Sequence, residues 1–269
     1  YEMLRSLVGS EMCIRDRLRD EAIQALLPAG AGEGSAILAV NTLSAPRTEV
    51  VELPEGFLGA QQAANGRALG VVSAPALGYS IAAPTGAVDA PVTVGESKDN
   101  IALENGFVRA TFDRAGHLLS LFDKRTRREC IEPGQPGNHF VLFDDKPLNW
   151  DAWDVDVYHL EKRYEDGIVC QSAKVTEHGP LRGAIAFEFA LSDKSALKQI
   201  VSLSATSARL DFHTEIDWRE REVFLKVEFP LAVRAPNATY EIQFGHLQRP
   251  THFNTSWDMA RFEVSAHKW

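Results

Sequence analysis

Apolar positions along this chain recur first with a helical period and then, for most of its length, with a period of two. Ala22, Ile23, Leu26 and Leu27 stand at helical spacing and predict a short helix over Leu18 to Leu27, stopped by Pro28 and by Gly30, Gly32 and Gly34. The segment reads as the end of a larger helical element, residues 18–29. After it, Ala36 to Val40 and Thr48 to Leu53 alternate as strands do, with Asn41, Ser44 and Pro46 between them. Shorter strands are expected at Gly70 to Ser73, Tyr79 to Ala82 and Pro91 to Val94, so residues 30–97 are expected to form a small β domain. The polar run Gly95 to Asn100 carries turn formers and charge without apolar period, which makes it the expected boundary.

Beyond that run the alternation sharpens. Val108, Ala110 and Phe112 face one way and Arg109, Thr111 and Asp113 the other, the pattern of a half-buried strand. Asp113-Arg114-Ala115-Gly116 is a hairpin turn leading into Leu118 to Phe122, with Gly116 free to take positive φ. Ile185, Phe187 and Phe189 repeat the pattern, followed by Leu210, Phe212, Thr214 and Ile216, by Leu225, Val227 and Phe229, and by Tyr240, Ile242 and Phe244. Strands at roughly ten-residue intervals with little helical period between them predict stacked antiparallel sheets. The expected fold class is all-β, with residues 98–269 as a large antiparallel β-sandwich.

Composition narrows the function classes. The 269 residues are 45% hydrophobic and 24% charged, ordinary for a globular protein, and the net charge is −9 with the basic residues scattered. No cationic surface for nucleic acid is expected, and no apolar run reaches the roughly 18 to 20 residues of a membrane span. Cys13, Cys130 and Cys170 share no short spacing, so neither a zinc knuckle nor a disulfide framework is indicated. With no secretory signal at Tyr1 to Arg5, the expected location is the cytoplasm. Ser6 to Arg17 resembles a peptide that arises when sequencing-adaptor DNA is translated. Residues 1–17 are therefore set aside, and both ends are expected to be cut.

Two constellations could carry chemistry. The first, Asn149-Trp150-Asp151-Ala152-Trp153-Asp154-Val155-Asp156, interleaves carboxylates with indoles. Acids can hydrogen-bond sugar hydroxyls while aromatic faces cover the C–H face of the ring. A calcium loop and a surface loop whose tryptophans plug the sandwich are the alternatives, although no Asp-x-Asp-x-Asp-Gly pattern is present. The second runs from Gly245 to Asp258 and is rich in side chains with directional hydrogen bonds, among them Arg249, His252, Asn254 and Asp258. His246, His252 and His267 lack the spacing of a helical metal motif, and no Gly-x-Ser-x-Gly elbow or phosphate-binding glycine loop occurs.

At these constellations the chain resembles the C-terminal half of the α-mannosidases of glycoside hydrolase family 38, cytosolic and bacterial branch. Matching blocks are Asn41 to Val50, Leu103 to Arg109, Ser120 to Lys124, Trp150 to Asp154, Leu225 to Pro230 and, most specific, Arg249 to Val264. Phe253 and Arg221-Glu222 depart from the family pattern. The resemblance implies a galactose-mutarotase-like supersandwich. It also implies a retaining hydrolase of terminal α-mannosides, in which an upstream barrel supplies an Asp nucleophile, a second carboxylic acid and the ligands of a zinc or other divalent ion.

On this reading the fragment carries no catalytic residue and no metal ligand, and it needs no cofactor of its own. Its partners would be the missing barrel and, through the complete enzyme, a mannoside. Trp150, Asp151, Trp153, Asp154, Arg249, His252, Asn254 and Asp258 are expected on or beside the face that meets the barrel, Arg249 pairing with a carboxylate there. The rivals are a carbohydrate-binding module that stacks sugars on Trp150 and Trp153 without hydrolysis, and a purely structural sandwich.

Overall fold

In the computed structural model, which describes residues 16–27, 36–150 and 153–269, the period-two segments are strands and the structure is almost entirely β. Residues 16–26 are helical. Nothing in the set-aside stretch before residue 16 lies among the described residues, nor do Pro28 and Gly30 to Gly34.

The chain divides into two compact units, one of residues 1–62 and 66–87 and the other of 63–65 and 88–269. In the first unit β1 (Ile37–Asn41) pairs antiparallel with β5 (Gly78–Ala82), and β4 (Ala68–Ala74) lies between β2 (Arg47–Glu52) and β3 (Gln61–Gln62). Leu53, Leu69 and Val71 are buried inside it. Asn41 is buried too: its amide donates to the Ala45 and Pro75 carbonyls at 2.8 and 2.9 Å while its oxygen accepts from the Leu43 amide, fixing the turn after β1.

The second unit is a sandwich. One face is a five-stranded antiparallel sheet of β6 (Thr93–Glu96), β7 (Asn100–Glu104), β8 (Val108–Asp113), β9 (Leu118–Asp123) and β10 (Arg128–Glu129). The other is four-stranded, from β13 (Val169–His178) through β14 (Arg182–Ala190) and β15 (Ala196–Ser204) to β16 (Leu210–Asp217). Val108, Ala110 and Phe112 meet Ile185, Phe187 and Phe189 in the core, so the alternation of both segments carries the expected phase.

Buried polar groups in this interior are answered, apart from the Thr206 hydroxyl at the turn after β15, which has no partner. Asn105 bridges the sheets, donating to the Ser204 and Ser207 carbonyls and accepting from the Phe107 and Val108 amides. Asn138 and Gln199 bond each other, with Gln199 going on to Thr214.

Three segments differ from the sequence expectation. Thr93 to Glu96 joins the five-stranded sheet of the second unit, and Gly95 to Asn100 closes the tight β6–β7 turn instead of linking units. The division falls between Ala87 and Val88. A polar run of six marks a hairpin turn as readily as a linker. Phe244 is not on a strand: with φ of 57° it sits in the turn between β18 (Asn237–Ile242) and β19 (Gly245–Pro250), fully exposed. The apolar positions Ile216, Val227 and Phe229 lie 48%, 45% and 38% exposed, although Leu210, Phe212 and Leu225 of the same rows pack on the core.

Candidate functional site

Both constellations lie in the second unit, beside a small sheet of β12 (Arg163–Tyr164), β11 (His139–Asp144) and β17 (Val223–Glu228). The first leaves the end of β11. Its base is closed by Asp156, whose carboxylate accepts from the Leu148 amide at 2.7 Å, and its tip by the Trp150 carbonyl, which accepts from the Trp153 and Asp154 amides. Trp150 takes φ of 64°, a left-handed conformation that is uncommon for a bulky side chain. Trp150 and Trp153 are 75% and 91% exposed, so they do not plug the sandwich. Asp154 is exposed and accepts from the Val155 amide, while Asp151 lies outside the described residues.

After the loop a 3-10 turn, Val157–Glu161, carries His159, which is 4% exposed. Its Nδ1 is 2.8 Å from the Asp156 carbonyl, an acceptor, so Nδ1 holds the proton. Nε2 is 3.1 Å from the Lys226 ammonium, which can only donate, and 3.8 Å from a Glu263 carboxylate oxygen. Phe143, Phe224 and Phe262 surround the ring with centroids 5.1, 4.9 and 5.7 Å away, and the Lys226 ammonium is 5.3 Å from both the Phe143 and Phe224 centroids. Lys226 also donates to Glu263.

Through Phe262 and Glu263 this node holds the second constellation. After β19 the Thr251 amide donates to the Pro236 carbonyl at 3.0 Å, and Thr255 then caps a single helical turn, Ser256–Met259. The cap is reciprocal: the Thr255 hydroxyl accepts from the Asp258 amide, and the Asp258 carboxylate accepts from the Asn254 and Thr255 amides and the Thr255 hydroxyl at 2.9 to 3.2 Å. His252 Nδ1 stands 3.5 Å from the same carboxylate. The Thr255 hydroxyl, foremost, and these neighbours hold Asp258 below the usual carboxylate range. Asp258 is therefore a cap that shapes its loop, and the groups left to face outward are the Asn254 side chain and the exposed Trp257.

Arg249, His252 and Asp258 line one cavity of about 290 Å³ with Tyr240, Arg261 and Phe262, and Arg249 Nε is buried there without an acceptor. On the other side of His159 a smaller cavity is lined by Asp144, Asp145, Lys146, Asp156, Tyr158 and Lys162, among others. Among the described residues, no hydrogen bond or ion pair joins Trp150, Trp153 or Asp154 directly to Arg249, His252, Asn254 or Asp258. Among the described residues, contacts of His159 with Lys226 and Phe262, and of Lys226 with Glu263, link the two constellations. Sequence reasoning missed these residues. Lys226 lies inside the matching block Leu225 to Pro230, whereas nothing around His159 distinguishes it from a surface histidine.

Among the described residues no three His, Cys, Asp or Glu side chains converge to hold a metal ion.

Residues 103–269 match the family model of the glycosyl hydrolases family 38 C-terminal domain. The chain belongs to glycosyl hydrolase family 38. It is 45% identical over 254 residues to alpha-mannosidase 2C1 of Homo sapiens, and equally to that of Mus musculus. Both matches take in 92% of this chain and 24% of the relative. Alpha-mannosidase G of Dictyostelium discoideum is 37% identical over 258 residues, 87% of this chain and 24% of that protein. This family 38 chain thus spans about a quarter of the length of the curated relatives it matches. The crystal structure of an alpha-mannosidase from Enterococcus faecalis V583 superposes with a TM-score of 0.52 at 13% identity, over 84% of this chain and 30% of that one, a likeness of fold.

Proposed function

We propose that this chain forms the β-rich C-terminal portion of a retaining α-mannosidase that acts on terminal α-mannosides in the cytoplasm. The observation that carries the reading is the 45% identity, across 92% of the chain, to a protein named for that activity. The nucleophile, the acid and the divalent metal would come from an upstream barrel, and the sandwich would complete the face on which the barrel rests. Two features support this division. His159, Lys226 and Glu263 link the segments that carry the two motifs. Phe229, Leu231 and Val233 are large apolar side chains left exposed along one groove, as a face made to be covered would leave them.

A test mixes the purified 269-residue chain with the remainder of a family 38 relative, expressed without its matching C-terminal region. The expected result is cleavage of a chromogenic α-mannoside only in the mixture. Cleavage by the 269-residue chain alone overturns the proposal. The exposure of Trp150 and Trp153 favours a second reading, a stacking platform for sugars, and it predicts saturable mannose binding by the isolated chain.

A further inference from the structure

The cavity beside the β18–β19 hairpin sets two guanidinium groups against a single carboxylate, Asp258. Arg249 enters from the end of β19 and Arg261 from just beyond the helical turn. Arg261 Nε donates to the Trp257 carbonyl at 3.2 Å, and Arg249 Nε is buried with no acceptor. The carboxylate in the wall, Asp258, already takes three donors from Asn254 and Thr255 and has His252 beside it. Neither guanidinium has an ion-pair partner among the described residues, in a chain whose net charge is −9.

A buried N–H without an acceptor is costly, and a guanidinium fork matches an anion with two coplanar oxygens. The cavity, about 290 Å³, is lined by Phe253, Phe262, Val264 and Pro250, which suit a carbon stem better than the hydrated shell of an inorganic oxyanion. We propose that this cavity is a binding site for a carboxylate group, held by Arg249 and Arg261 with the Tyr240 hydroxyl at its side. The carboxylate is either an Asp or Glu side chain from elsewhere in the complete enzyme or a small organic acid. Only the first source rests on the functional reading above.

The test titrates sodium acetate into the 269-residue chain at constant ionic strength, with chloride and inorganic phosphate in parallel, and follows the arginine Nε–Hε resonances by NMR. The expected result is a saturable acetate shift at Arg249 and Arg261, absent with chloride and weaker with phosphate. Arg261 is exposed, so Arg261→Gln should leave the rest of the spectrum unchanged while weakening acetate by roughly tenfold. Arg249→Lys keeps the charge, removes the fork and should weaken it similarly. Tighter phosphate than acetate binding, a non-saturating shift, or an acetate response unaltered in both variants overturns the proposal. Adding the remainder of a family 38 relative then separates the sources. Displacement of acetate identifies a protein side chain, and retention in the associated pair identifies a small acid. Failure to associate would count against the mannosidase reading alone, because the acetate result is obtained without it.

Discussion

The interior of the sandwich and the surface that carries the two motifs follow opposite rules. Inside, Phe112, Phe187 and Phe189 are buried and the polar groups Asn105, Asn138 and Gln199 have partners at normal distances. On the motif surface Trp150, Trp153, Phe253 and Trp257 are 64% to 91% exposed, and Arg249 Nε is buried without an acceptor. The core is satisfied apart from the Thr206 hydroxyl. A surface that leaves large aromatics in water and a buried donor unanswered suits the covering proposed above. The difference separates residues that maintain the fold from residues whose exposure the proposed partner would explain.

The contrast is broken most strongly from the inside. Phe187→Ala should cost about 3–5 kcal/mol in urea unfolding, because the deletion leaves a cavity between two packed sheets. A loss below about 1 kcal/mol would mean that the core is not the self-contained unit described here.

A smaller effect sharpens the border between the two regions, where His117 and Asp113 are half-buried and bond at 3.0 Å. The hydrogen bond to Asp113 raises the His117 pKa, with burial opposing it. For Asp113 burial pulls upward, but the bonds from the His117 ring and the His117 and Ala115 amides outweigh it and leave the carboxyl below its ordinary value. The histidine's contribution to stability is complete below its unfolded pKa of about 6.5 and is lost as pH rises through the higher folded value. That of the aspartate is complete above about 3.9 and is lost as pH falls through the lower folded value. A double-mutant cycle on the pair should therefore give a coupling of about 0.5–1 kcal/mol near pH 5 that declines toward pH 8. A coupling that grows with pH would contradict the geometry. The smallest effect is predicted on the motif surface: Trp150→Ala with Trp153→Ala should change the unfolding free energy of the isolated chain by no more than about 0.5 kcal/mol, read by the same urea titration.

What was legible in the sequence follows the same division. Strands buried on one face announce themselves by period two, which is why Val108 to Phe112 and Ile185 to Phe189 were placed with the right phase. The rule failed where the apolar face is not covered within this chain. Ile216, Val227 and Phe229 continue a buried rhythm yet are exposed, since hydrophobicity reports what is eventually covered and not by which segment. The motif residues were picked out by their types, but their roles were not. Asp258 reads as a ligand-binding acid and is a helix cap, because Thr-x-x-Asp is a local signal that the density of polar residues concealed. His159 was invisible, since its partners Lys226 and Glu263 lie 67 and 104 positions away.

On the proposal above, the motif surface is the part of this chain that the remainder of the enzyme covers. Hydroxyl-radical footprinting of the 269-residue chain, alone and mixed with the remainder of a family 38 relative, tests it most directly. The account predicts that Trp150, Trp153, Phe253 and Trp257 lose reactivity in the mixture while side chains of the first unit, such as the exposed Tyr79, keep theirs. Association that leaves those four aromatic side chains as reactive as before would contradict it.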